Sequence, residues 1–98
     1  VMGMARIRHI VLDVLKPHNP SLIEIASSIA DLDGVDGANI VVMEVDKDVE
    51  TVKVTIEGED IDFDQVKALI EGNSCSIHSV DKVSCGSQII NDSPTPQD

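Results

Sequence analysis

The chain has no tryptophan and no tyrosine, and Phe63 is its single aromatic residue. Bases and sugar rings therefore find no aromatic face to stack on, and a quaternary ammonium finds no cage. Positive charge is scarce as well: 7 Lys and Arg stand against 18 Asp and Glu, for a net charge of −11. A nucleic-acid binder needs a cationic surface to displace counterions from phosphates, so nucleic acid is not an expected partner. No run approaches the roughly 18 apolar residues of a membrane-spanning helix. Residues 1–5 are too short for the apolar region of a signal peptide. The expectation is a cytoplasmic protein with no membrane partner. Cysteine is limited to Cys75 and Cys85. If they flank one strand, about 30 Å separates them, far beyond the ~7 Å that a disulfide spans. Their spacing fits no zinc signature, and both are read as structural or incidental thiols rather than redox or metal-binding ones.

What the chain does have is β-branched aliphatic side chains. It holds 13 Val and 12 Ile against 5 Leu, which favours strands over helices and an aliphatic core. Its 98 residues suit one domain with a modest core.

Residues 6–16 (RIRHIVLDVLK) alternate with Ile10, Leu12 and Val14 on one face, and Ile7, Val11 and Leu15 with His9 and Asp13 on the other. Apolar residues on both faces mark a central strand. Asn19-Pro20 reads as an N-cap followed by proline at the first helical position, with Leu22, Ile25, Ala26, Ile29 and Leu32 at helical spacing. Gly34 or Gly37 supplies the left-handed residue that turns the chain. Residues 38–46 form a second strand and residues 50–57 a third, the latter with Val52, Val54 and Ile56 facing inward. A second helix starts at Asp62, with Gln65 three positions on and Ile61 and Val66 placed as a hydrophobic staple; Gly72 ends it. Residues 75–83 are the fourth strand.

Strand, helix, strand, strand, helix, strand is the split βαβ order of an α+β, ferredoxin-like sandwich. It predicts a four-stranded antiparallel sheet in the order 4-1-3-2 with two helices on one face, spanning residues 5–86. Residues 87–98 read as a polar, flexible tail in which Ile89-Ile90 is able to dock. The second strand is apolar in both parities: Ile40 and Val42 on one, Val41, Met43 and Val45 on the other. Exposing several such side chains forfeits several kcal/mol at about 25 cal/mol per Å2. The second and fourth strands are also sheet edges, and neither carries proline. The expectation is a homo-oligomer that buries the open face or an edge against another copy.

The carboxylates cluster. Asp46, Asp48, Glu50 and Glu57, and again Asp60, Asp62, Asp64 and Glu71, fall at positions 1, 3, 5 and 12 of a calcium loop, but both windows lack the glycine required at position 6. EF-hand geometry is rejected. A looser oxygen-ligand site for Ca2+ or Mg2+ remains at Glu57, Glu59, Asp60 and Asp62. Its competitor is a solvated acidic turn in which Asp62 and Asp64 favour the helix N-terminus. His9 and Asp13 share a strand face about 13 Å apart, and His78 lies on the neighbouring strand. Such a cluster can bind a ligand or carry acid–base chemistry between subunits, though a structural polar pair is the commoner outcome. His18, with Lys16, precedes a helix N-terminus that welcomes a small anion. No nucleophile elbow or phosphate loop is present, and no catalytic residue is assigned.

The segments LDVLKPH (residues 12–18), GVDG (34–37), IEGEDIDF (56–63) and IHSVD (77–81) together resemble the archaeal domain-of-unknown-function family two-eleven. The resemblance covers about residues 5–86. It implies a ferredoxin-like fold and ring-shaped homo-oligomers, and a calcium ion bound in a relative implies a divalent cation as ligand. It brings no established activity. Function is therefore expected to be that of an oligomeric interaction module binding a small ligand or divalent cation. The alternative is an enzyme with an intersubunit site using His9, Asp13 or His78.

Overall fold

The computed structural model describes residues 5–94. Its elements are β1 (Ile7–Pro17), α1 (Leu22–Ala30), β2 (Val35–Val45), β3 (Val49–Ile61), α2 (Phe63–Gly72) and β4 (Ser76–Cys85). The sheet runs β2-β3-β1-β4 and every pair is antiparallel. This is the ferredoxin-like α+β arrangement. The period-2 pattern drives it: Ile10, Leu12 and Val14 of β1 and Val52, Val54 and Ile56 of β3 face the helices and are buried. Ile25 and Ile29 of α1 and Val66 and Ile70 of α2 close the core from above.

Both helices start at local caps. Asp62 Oδ1 accepts from the backbone N–H groups of Asp64 and Gln65, and Ile61 and Val66 are both buried. For α1 the cap is Ser21, not Asn19. Ser21 and Glu24 form a reciprocal capping box, which satisfies two orphan donors where an Asn-Pro start satisfies one. Pro20 therefore precedes the helix. Gly34, at φ +83°, supplies the left-handed residue after α1. At the end of α2, Asn73 is the cap and Ser74 carries the positive φ of 64°, so Gly72 is the last helical residue rather than the terminator.

Two parity expectations change, those of Ile7 and Val45, each through a bulge, since one extra residue flips the faces beyond it. A shift between Ile7 and His9 turns Ile7 from the open face to the core, where it packs. A shift between Val42 and Glu44 leaves Met43 unmatched and sets Val45 opposite Glu50, on the helix side with Val42. On β4, His78 is passed over between Ile77, opposite Val14, and Ser79, opposite Asp13.

The strands are long for their helices. Nine residues of α1 rise about 14 Å, whereas eleven residues of β2 reach about 36 Å. The molecule is a slab with extents of 41 × 41 × 19 Å, and its sheet projects beyond the helical cover. Residues 87–94 form no helix or strand and are exposed; Lys82 Nζ lies 3.4 Å from Asp92 Oδ1. Residues 1–4 and 95–98 lie outside the described residues. No helix among the described residues is long and apolar enough to cross a membrane.

Candidate functional site

Among the described residues one charged side chain is fully buried. Lys16, 1% exposed, continues the core-facing row of Ile10, Leu12 and Val14. Directly across the ladder stands Glu50, which continues the core-facing row of Val52, Val54 and Ile56. Lys16 Nζ donates to Pro17 O at 2.8 Å, His18 O at 3.4 Å and Glu50 Oε1 at 3.2 Å. Three acceptors match the three N–H donors of an ammonium, so the burial leaves no unsatisfied donor.

The other carboxylate oxygen is taken by His18. Its Nδ1 is 3.0 Å from Glu50 Oε2 and its Nε2 is 2.9 Å from the backbone oxygen of Lys47. The Glu50 carboxylate, and secondly the Lys47 carbonyl, raise the His18 pKa above its ordinary value, against opposition from burial and the Lys16 charge. The same bonds, from His18 first and Lys16 second, hold the Glu50 carboxyl below its ordinary value. Lys16, His18 and Glu50 thus tie together the end of β1, the approach to α1 and the β2–β3 hairpin. Cys75, buried just before β4, feels the Lys16 charge, but burial dominates and pushes its thiol upward.

The remaining candidate residues do not converge as expected. His9 Nδ1 pairs with Glu57 Oε2 of β3 at 3.0 Å, not with Asp13 or His78. Asp13 stands opposite Lys53 on one side and Ser79 on the other. His78 is exposed at the β4 bulge.

The segment at 57–60, expected as an acidic turn, is strand, because β3 runs to Ile61. Glu57 engages His9, and Glu59 Oε2 lies 3.2 Å from Arg8 Nη2. The Asp60 N–H donates to Gly34 O, and Asp62 caps α2. Among the described residues no group of three or more His, Cys, Asp or Glu is placed to hold a metal ion. The four carboxylates are thus spread along a strand and a helix cap rather than gathered. Cys75 is buried, Cys85 is exposed and both are free.

Sequence reading passed over Lys16 and Glu50 as a pair. The signal was present: each shares the parity of a buried row, and the register sets them face to face.

The motif around the cluster, residues 12–18, is part of a match to a family model described as "Uncharacterized ArCR, COG1888" (DUF211), which spans residues 8–98. The chain belongs to this uncharacterised archaeal family. DUF211 thus takes in the tail that the motif resemblance left outside. A relative, "Uncharacterized protein MJ0319" of Methanocaldococcus jannaschii, is 50% identical over 95 residues, covering 97% of this chain and 98% of that protein.

Proposed function

We propose that this protein is a non-enzymatic, cytoplasmic self-assembly module whose copies join edge to edge through β2 and β4. The observation that carries the reading is uncovered apolar surface at both free edges of the sheet. On β2, Val42, Met43 and Val45 are 36%, 57% and 70% exposed; on β4, Val80 and Val83 are 48% and 52% exposed. Val42 and Val45 stand in register with Val52 and Glu50, and Val80 and Val83 with Leu12 and Ile10. All four therefore lie on the helix side of the sheet, where the short helices leave them bare.

Strand direction supports the same reading. β1 and β2 run one way and β3 and β4 the other. A second copy translated along the sheet brings its β4 beside β2 of the first in antiparallel pairing. Backbone donors and acceptors on both edges are then satisfied, and the valines of the two edges meet on one side. The contact is heterologous, and it closes into a ring when the rotation per copy divides a full turn. The open face is a weaker candidate. It carries Val11, Leu15 and Val41, but Thr51, Lys53, Thr55 and Glu57 of β3, with His9 and Asp13 of β1, intersperse them with polar side chains.

Sedimentation velocity on the wild type and on Val42→Lys/Val83→Lys tests the reading. Fast-sedimenting wild type and a slow, folded variant support it. Equal sedimentation of the two overturns the edge assignment.

A further inference from the structure

His18 has an acceptor at each ring nitrogen: the Glu50 carboxylate at Nδ1, and the Lys47 carbonyl at Nε2. A neutral imidazole has one N–H and one lone pair; the carboxylate, the stronger acceptor, keeps the N–H at Nδ1, so the Nε2 lone pair is directed at the Lys47 carbonyl oxygen. Only the imidazolium, with two donors, satisfies both contacts. The carbonyl belongs to the tip of the β2–β3 hairpin. That turn is otherwise closed by Asp46 N–H to Val49 O at 2.8 Å and Lys47 N–H to Asp46 Oδ1 at 2.8 Å. His18 itself sits between β1 and α1 and is half exposed, open to protons from solvent.

We propose that His18 is a pH-operated latch: as imidazolium it pins the tip of the β2–β3 hairpin to the β1–α1 connection, and on losing its proton it lets the tip go.

The charges that bear on it are few. From β3, Glu50 favours the imidazolium; from β1, Lys16 opposes it; in the hairpin turn stand Asp46, Lys47 and Asp48. Of the side-chain types in this cluster, imidazole is the one whose charge ordinarily changes near neutrality. The raised His18 pKa sets the sign. The latch is fully engaged below the ordinary histidine value and is lost as pH rises through the folded one.

Val42, Met43 and Val45 lead directly into the same hairpin. The latch therefore also sets how firmly the end of β2 is held for pairing with another copy. This last step rests on the edge-pairing reading; the latch does not.

The test is amide hydrogen exchange of the Asp46 and Val49 region at about pH 6 and about pH 8.5, expressed as protection factors. It is run on wild type, His18→Gln, and His9→Gln and His78→Gln as controls. Protection in the wild type is expected to fall severalfold at the higher pH, to stay flat in His18→Gln, and to behave as wild type in both controls. Flat protection in the wild type, or a pH dependence that survives in His18→Gln, overturns the latch. Light scattering on the same samples separates the two readings. A monomer at both pH values with pH-dependent protection removes edge pairing and keeps the latch. A large particle with flat protection does the reverse.

Discussion

Lys16 and Glu50 face each other across the β1–β3 ladder on the core side of the sheet, with Nζ and Oε1 3.2 Å apart. A buried ion pair contributes little net stability when intact, because desolvation offsets attraction, but removing one partner strands the other. Lys16→Ala leaves the Pro17 and His18 carbonyls and one Glu50 oxygen without their donor and opens a cavity. The expected loss is about 3 kcal/mol. Lys16→Met fills the space and is expected to lose about half as much. Urea unfolding curves measure both; an unchanged Ala variant contradicts the assignment.

Glu50 reports on His18. Glu50→Gln removes the carboxylate that is the largest cause of the raised His18 pKa. The imidazole pKa is then expected to move down toward its ordinary value, as read by NMR titration of the ring nitrogens. For the wild type, the Glu50 carboxyl lies below its ordinary value. Its contribution to stability is present above that ordinary value and is lost as pH falls through the folded one, whereas that of His18 is lost as pH rises through its own. The cluster stabilises most between the two.

Gly58 lies on β3 against the chain leaving α1. A Cβ there would overlap the Gly34 carbonyl oxygen, and a Cβ on Gly34 would overlap the Asp60 carbonyl oxygen. Both obstacles are backbone, so they do not swing aside. Gly58→Ala is expected to destabilise by about 1–3 kcal/mol, measured as a lower thermal midpoint. Gly37→Ala meets nothing within 4 Å and serves as the control.

The thiols differ. Cys75 is 5% exposed and its pKa is raised by burial, so little reactive thiolate is present. It is expected to resist a thiol reagent in the folded protein and to react promptly in denaturant, as read by mass spectrometry.

Most of this fold is legible in residue periodicity. The alternation of β3 and the Asp62 cap identify their elements outright, and the element order gives the sheet. The misreadings have physical causes. The acid-rich segment at 57–60 has no apolar alternation of its own. It is strand because it pairs with β1 and β2 and because Gly58 admits the close approach of Gly34. The parity errors at Ile7 and Val45 come from bulges, which are properties of strand pairing that a lone strand does not display. The candidate site was half legible: His18 and Lys16 stood out near a helix start. Their partner Glu50 stands out in sequence only as one of the clustered carboxylates, although its parity already places it on the buried row.

A charge of −11 opposes contact between copies, and that repulsion is screened beyond about 8 Å at physiological ionic strength. Added salt is therefore expected to strengthen association of the wild type. Weaker association at high salt would place charge attraction rather than apolar contact at the joint. Concentration series by sedimentation equilibrium distinguish the two.

The molar mass of the wild type in solution tests edge pairing most directly. Multi-angle light scattering behind size-exclusion chromatography, at tens of micromolar protein and a pH just below neutrality, is the measurement. A single species at an integral multiple of the 10.5 kDa chain, collapsing toward one chain in Val42→Lys/Val83→Lys, is the predicted result. A wild type that elutes at 10.5 kDa under those conditions contradicts the account.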